Sequence, residues 1–125
     1  MTKMMQAVRI EAAPRRDLGE GMFRTSLEGG YLAVNPALAD IYGYESPAQM
    51  MSELRDIQRQ LYVEPGRRQQ FIEAMARDSM VMDFRSRVHR RDGTVIWITE
   101  YSRAVRDEAG GILFYEGTVR ALPDD

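Results

Sequence analysis

The sequence predicts an α+β domain with an antiparallel sheet, and two observations support this prediction. Segments rich in β-branched and aromatic residues, which are typical of strands, span 22–26, 31–34, 80–90, 94–106 and 112–120. Helix signals fill the interval between the second and third of these segments. Because the strands occur in runs and do not alternate with helices, the pattern favours an antiparallel sheet over a parallel one.

Turns and helix caps between the strands can be assigned from local sequence. Asp92-Gly93 and Gly110-Gly111 are typical of the turns that join antiparallel strands. Asn35-Pro36 and Ser46-Pro47 each place a capping side chain before a proline, which is the usual start of a helix. A longer helix is predicted over 64–79 from its apolar periodicity.

The two-residue alternation of the strands separates a core face from an outer face. In the strand at 80–90, the core face carries Met82, Phe84, Ser86 and Val88, and the outer face carries Asp83, Arg85, Arg87 and His89. In the strand at 94–106, the inward set includes Ile96, Ile98, Glu100 and Ser102, and the outward set includes Val95, Trp97, Tyr101 and Val105. Both sets of the second strand contain large apolar side chains, so we expect both faces of the sheet to be covered.

Length and composition limit the classes of protein to which the chain can belong. Its 125 residues suffice for one domain, which we place at 21–120, after a helix and linker at 1–20 and before a tail at 121–125. The absence of cysteine excludes disulfides and thiolate chemistry and fits a reducing compartment, so we expect a cytoplasmic protein. The net charge of −2 and the lack of a long apolar run argue against nucleic-acid and membrane partners.

No arrangement typical of a catalytic or metal site is evident in the sequence. The single histidine, His89, is predicted on the outer face, so a Ser/His/Asp set lacks its base and a zinc ion lacks the ligands that it needs. The glycines occur in turns, without the spacing of a phosphate-binding loop. We therefore expect no catalytic residues, no metal, no cofactor and no enzymatic activity.

Four segments together resemble a PAS domain. They are GMFRTSLEGGYLAVNPALADIYGY, LYVEPGRRQQF, HRRDGTVIW and AVRDEAGGILFYEGTV, within residues 21–119. The resemblance implies a five-stranded antiparallel sheet with short helices across one face, a small cavity beneath the helices and the N-terminal amphipathic helix on the other face. It also implies a signal-sensing and dimerisation module that acts on a kinase, cyclase or diguanylate cyclase in cis, or on a partner in trans.

The chain departs from several PAS relatives at positions that matter for function. Light-sensing relatives use a cysteine near a flavin, and haem-binding relatives use a histidine on the longest helix; this chain offers neither. Ala121-Leu122-Pro123 replaces the Asp-Ile-Thr motif at which relatives continue into a signalling helix, and a proline opposes an immediate helix at this point.

Polar groups among apolar ones on the inner face form a candidate site for a small ligand. The predicted lining residues are Tyr42, Met75, Met82, Phe84, Ile98, Glu100, Ser102, Tyr115 and Val119. A carboxylate such as Glu100 is costly to bury unless it is paired. Two interpretations follow: Glu100 belongs to an internal network with a backbone amide, Tyr42 or Arg59, or Glu100, Ser102 and Tyr115 orient a ligand.

The outer face is predicted to form the interface of a homodimer. The residues assigned to this interface are Met4, Met5, Val8, Trp97, Tyr101 and Phe114. Large apolar side chains on this face require a cover, and the amphipathic N-terminal helix is the nearest one. The alternative is a monomer in which that helix packs on its own sheet.

Two other functions stay open at this point. The chain could be a structural interaction domain with a filled core and no ligand. It could also be a small cone-shaped isomerase or dehydratase that uses one buried carboxylate as a base. The order of the elements disfavours the enzyme, because the helices lie in the middle of the chain.

Overall fold

The computed structural model describes residues 20–123. The elements of this part of the chain are β1 Gly21–Thr25, β2 Tyr31–Val34, α1 Pro36–Ile41, α2 Pro47–Glu53, α3 Ile57–Gln60, α4 Arg67–Asp78, β3 Met80–His89, β4 Val95–Arg106 and β5 Ile112–Ala121. The strands form one antiparallel sheet, which confirms the predicted α+β class with five strands. The predicted helix containing Met4, Met5 and Val8 lies outside the described residues.

The order of the strands explains where the helices lie. The order across the sheet is β2-β1-β5-β4-β3, so β2 and β3 are the two edges and β5 is the central strand. The four helices connect one edge strand to the other and therefore cross the sheet. Their buried side chains pack against inward side chains of the strands, which gives a two-layer domain with its core on the helical side.

The predicted capping residues start the first two helices. Asn35 Oδ1 accepts a hydrogen bond of 2.9 Å from a backbone N–H of α1, and Ser46 Oγ accepts one of 3.0 Å from α2. These bonds satisfy N–H groups that have no partner within a helix. The longest helix begins at Arg67, later than the predicted 64–65, because Gly66 has a φ of +88° and interrupts the helical backbone.

A bulge in β3 changes which side chains face the core. The register with β4 shifts between Val81 and Phe84, and Asp83 between them has a φ of +52°. Val81 is buried and Phe84 packs against the core, whereas Met82 is 65% exposed. The prediction that Met82 faces the core and lines the inner site is therefore wrong, because the bulge inserts one residue into the alternation.

Two glycines permit close approaches that a side chain would block. A Cβ at Gly117 would overlap the carbonyl oxygen of Tyr101 and the Cα of Ser102 in the neighbouring strand. A Cβ at Gly21 would lie 2.8 Å from the Cα of Leu38 in α1. The small size of glycine thus sets the spacing of β5 from β4 and of α1 from β1.

The core consists of two apolar clusters on the helical side. Helices α1 to α3 and the residues that follow each of them supply most of the first cluster, whose strand residues are Phe23, Val88, Ile98 and Val119. Helix α4 supplies Phe71 and Met75 to the second cluster, which also contains Val81 and Tyr115. The boundary between these clusters is where the polar side chains of the inner face lie.

Candidate functional site

A set of four buried polar side chains lies on the inner face where the two apolar clusters meet, and one of them, Tyr62, belongs to the first cluster. Glu100 and Ser102 come from the middle of β4, and Arg68 comes from the first turn of α4. Tyr62 follows α3 and is held by an isolated bridge to β3. We call Tyr62, Arg68, Glu100 and Ser102 the inner polar cluster.

Glu100 has hydrogen-bond partners within this cluster. Its Oε1 accepts a hydrogen bond of 3.3 Å from the Tyr62 hydroxyl, and its Oε2 accepts one of 3.0 Å from Ser102 Oγ. Only 5% of Glu100 is exposed, and burial raises the pKa of its carboxyl; the hydrogen bond from Ser102 and the charge of Arg68 offset part of this rise. The carboxyl group is therefore paired, yet its ionised form is disfavoured.

The side chains that the sequence suggested as partners of Glu100 have other roles. Tyr42 is buried in the first cluster, where burial raises the pKa of its hydroxyl and keeps it protonated. Arg59 is exposed and lies 3.6 Å from Asp56 Oδ2. Among the residues that the structure describes, neither donates a hydrogen bond to Glu100.

Arg68 is the unusual member of the inner polar cluster. It is only 4% exposed, and its Nε and Nη2 are buried without a hydrogen-bond partner among residues 20–123. Its guanidinium lies over two aromatic rings, 4.8 Å from the centroid of Phe71 and 5.8 Å from that of Tyr115. Ring faces stabilise a cation, but they do not accept the in-plane N–H bonds of a guanidinium.

The predicted lining residues other than Met82 lie on the inner side but divide between the two clusters. Tyr42, Ile98 and Val119 belong to the first cluster, and Met75, Phe84 and Tyr115 belong to the second. Glu100 connects these groups, because it pairs in the sheet with Phe84 on one side and with Val119 on the other. The inner polar cluster therefore lies centrally among the residues predicted to line the site.

Sequence reasoning misses Tyr62 and Arg68. For Arg68 a signal exists, because Phe71 and Met75 follow it at helical spacing and place it on the inward side of α4. Arginine is seldom buried in proteins. Its charge therefore predicts an exposed side chain, although the helical periodicity places Arg68 on the inward side of α4. Tyr62 lies in an irregular segment, where no periodicity indicates its direction.

The outer face of the sheet carries a groove of about 740 Å³. Apolar parts of its lining come from Met22, Met80, Met82 and Tyr101. The bulge that removes Met82 from the core thus adds this side chain to the groove.

Charged side chains form a compact network in the same groove. Glu116 accepts a hydrogen bond of 3.1 Å from Arg24 and one of 2.6 Å from Arg103. The three residues carry a net positive charge, and although the Glu116 side chain is only 14% exposed, the exposure of the two arginines weakens each ion pair.

The sheet residues predicted for the dimer interface lie on this outer side. Trp97 is 50% exposed and Tyr101 is 41% exposed, whereas Phe114 is partly buried and lies 4.9 Å below the guanidinium of Arg24. The other predicted interface residues, Met4, Met5 and Val8, lie outside the described residues.

Residues 20–123 lack a metal-binding cluster and a membrane-spanning helix. No group of three or more histidine, cysteine, aspartate or glutamate side chains in this range is arranged to hold a metal ion. No helix in the same range combines the length and the hydropathy needed to cross a bilayer.

The strand order and the helical layer define a small α+β domain with its polar site between the two layers. The family model for the PAS fold matches residues 31–119, and the chain belongs to this family. This confirms the resemblance seen in the sequence. PAS domains are signal-sensing modules and are generally regulatory, and they are found in sensor histidine kinases.

Solved structures share this fold at low sequence identity. A PAS domain from Colwellia psychrerythraea is 20% identical, with a TM-score of 0.74 and coverage of 94% of each chain. A PAS domain from a two-component sensor histidine kinase is 19% identical, with a TM-score of 0.71 and the same coverage. The blue-light activated histidine kinase of Erythrobacter litoralis is 18% identical, with a TM-score of 0.68 over 86% of this chain and 34% of that one. No curated protein matches the chain.

Proposed function

We propose that this PAS domain senses a small ligand at the inner polar cluster and passes the signal on as a homodimer. The observation that carries the proposal is a buried set of polar groups beside two apolar clusters, including an arginine with two donors that find no partner among residues 20–123. Ligand sites in proteins are mostly apolar and contain a few polar groups that orient the ligand. The inner polar cluster matches that description.

Strand pairing offers a route from the inner cluster to the outer face. Glu100 and Ser102 alternate along β4 with Tyr101, which lines the outer groove. A shift of β4 caused by a ligand on one face therefore moves side chains on the other. The chain beyond β5 stays beside β4, because the Leu122 N–H donates a hydrogen bond of 2.9 Å to the carbonyl oxygen of Trp97.

The outer face supports association with a second copy of the chain. Trp97, Tyr101 and the methionine-lined groove expose apolar surface beside charged groups, a composition that suits protein interfaces. The Met4, Met5 and Val8 segment would complete this interface, with Phe114 beneath it. The receiver of the signal would be a kinase, cyclase or diguanylate cyclase domain in cis, or a partner in trans.

Native mass spectrometry of the gently purified chain tests the sensing part of the proposal. We expect a mass above that of the polypeptide, which is lost when the protein is denatured. A bare polypeptide that also fails to bind any member of a small-molecule library would contradict ligand sensing. That result would favour a ligand-free interaction domain, for which the pairing of Glu100 with Tyr62 and Ser102 is the supporting observation.

Sedimentation equilibrium tests the homodimer. We expect the intact chain to dimerise at micromolar concentration and expect Trp97→Glu, or deletion of residues 1–13, to shift it to monomer. Leu27→Glu is the matched control, because Leu27 is also exposed but lies in the turn between β1 and β2. A monomeric wild type, or a dimer unaffected by Trp97→Glu, would refute the assigned interface.

A further inference from the structure

The free edge of the Arg68 guanidinium has a defined chemical shape. Nε and Nη2 lie on one edge of the planar group, and their N–H bonds form a fork that matches the two oxygens of a carboxylate. In Arg68, these are the two nitrogens that are buried without a partner among the described residues. The unused donors therefore form one continuous binding edge.

Two other arginines in the chain use this edge to bind carboxylates, whereas Arg67 and Arg106 use it on neutral oxygen acceptors. Arg91 donates from Nε and Nη2 to the two carboxylate oxygens of Glu53, at 2.9 Å and 3.3 Å. Arg103 uses the same two nitrogens toward Glu116, at 3.0 Å and 2.6 Å. Both of these forks lie at the surface, whereas that of Arg68 lies in the core.

Glu100 does not fill the fork of Arg68. The Glu100 oxygens accept hydrogen bonds from Tyr62 and Ser102, and the described residues contain no ion pair between Arg68 and Glu100. Glu100 acts on Arg68 through its charge, but the buried N–H donors of Arg68 lose their bonds to water without a replacement among the described residues, which is costly. An added carboxylate would satisfy these donors.

The surroundings of Arg68 favour an apolar body on the same molecule. Phe71 packs edge-to-face with Phe84 and with Tyr115, with ring centroids 5.8 Å and 5.3 Å apart. Met75 completes this apolar wall. A strongly hydrated anion such as phosphate gains little from such neighbours, whereas an aliphatic or aromatic acid can bury carbon atoms against them.

We propose that Arg68 binds the carboxylate of a small organic acid whose apolar part packs against Phe71, Met75 and Tyr115. This assignment rests on the proposed sensing function and specifies the chemical class of its ligand. Arg68 provides the charge and the orientation, and the aromatic cluster provides the apolar contact. Glu100, held by Tyr62 and Ser102, is the second carboxyl group near Arg68.

Isothermal titration calorimetry on the full chain tests whether the ligand is a small organic acid, with two pairs of probes. The acids are benzoate and hexanoate, and their uncharged counterparts are benzamide and hexanamide. We expect saturable binding of at least one acid and affinity lower by roughly tenfold or more for its amide, because the charge-assisted fork is lost. Equal affinity for acid and amide, or no binding of either acid, would overturn the assignment.

Substitution of Arg68 tests whether the acid binds to its guanidinium. Arg68→Lys keeps the charge but lacks the fork, so we expect affinity for the bound acid to fall by about tenfold or more. Arg91→Lys removes a surface fork of the same geometry and should leave that affinity unchanged. Retained affinity in Arg68→Lys would overturn the proposal.

If Arg68→Lys does not fold, nuclear magnetic resonance of the wild type can still show whether the acid binds at Arg68. The Arg68 Nε–H signal should move with the acid and not with the amide. If the Arg68 Nε–H exchanges slowly with water in the wild type without any acid and rapidly in Glu100→Gln, Glu100 fills the fork in solution and the proposal fails. A neutral molecule found by native mass spectrometry and retained in Arg68→Lys would also refute the carboxylate, while the sensing function would stand.

Discussion

The two faces of the sheet contain the same kinds of charged residue in opposite arrangements. On the outer face, Arg24 and Arg103 both donate to Glu116 in a solvent-exposed groove. On the inner face, Arg68 and Glu100 are both buried, yet the described structure has no ion pair between them. Solvent screening reduces the contribution of the outer ion pairs to the free energy of unfolding to nearly zero. A buried guanidinium whose donors have no hydrogen-bond acceptor lowers that free energy. The inner arrangement is the observation on which the proposed ligand site rests.

The largest expected difference in unfolding free energy between the two faces is at the adjacent positions Trp97 and Ile98 of β4. Ile98 is fully buried in the first cluster, so Ile98→Ala should lower the free energy of unfolding by about 2–5 kcal/mol. Trp97→Ala should lower it much less in the monomer, because half of that side chain is already in solvent. Urea unfolding at low protein concentration measures both. Similar losses for the two variants would contradict the assignment of the faces.

The two paired glutamates provide a second contrast. Glu100→Ala leaves the Tyr62 hydroxyl and Ser102 Oγ without their acceptor, which should cost about 1–3 kcal/mol. Glu116→Ala leaves two solvent-exposed arginines that water can hydrate, so it should cost less than about 1 kcal/mol. Thermal unfolding of both variants without added ligand is the measurement. Equal melting temperatures for wild type and Glu100→Ala would rule out a structural role for the inner hydrogen bonds.

The pH dependence of stability should differ between wild type and Glu100→Gln. Burial raises the folded-state pKa of Glu100 above its ordinary value of 4.5, so the associated stability is complete below 4.5 and is lost as pH rises through the folded-state pKa. Gln cannot ionise, and its amide can still accept a hydrogen bond from Tyr62. Wild type should therefore become less stable relative to Glu100→Gln as the pH increases in urea titrations. A constant difference would contradict the raised pKa.

The smallest effect is expected at the edge of the outer network. Arg103→Ala removes one of the two arginines that hold Glu116, and Arg24 still pairs with that carboxylate. The loss in unfolding free energy should be below about 1 kcal/mol and should shrink further at high salt. A larger loss that is insensitive to salt would show that the outer network is effectively buried, for example within a dimer.

Much of the fold could be predicted because its local signals agree with one another. The caps at Asn35 and Ser46 and the turn at Asp92-Gly93 all occur where the sequence places them. The bulge at Asp83 could not be predicted, because nothing in the alternation indicates that this residue adopts a positive φ. That one conformation reverses the direction of Met82.

The inner site was only partly predictable for a different physical reason. Glu100 and Ser102 follow from strand periodicity, since they share a face with Ile98. Their partners come from elements whose packing no local pattern reports, namely the irregular segment at Tyr62 and the first turn of α4. Tertiary contacts determine which way these side chains point. The burial of Arg68 is the least predictable of these features, because arginine is seldom buried.

The most direct test of the account is to map chemical shifts of the isotope-labelled full chain on addition of benzoate, with benzamide as the control. Trp97 is the only tryptophan, so its indole signal reports on the outer face, and the Arg68 Nε–H reports on the inner one. We predict that benzoate produces the largest shifts at Arg68 and around Tyr62 and Glu100, with a smaller change at Trp97. Largest shifts at the Trp97 indole, with Arg68 unchanged, would contradict the account.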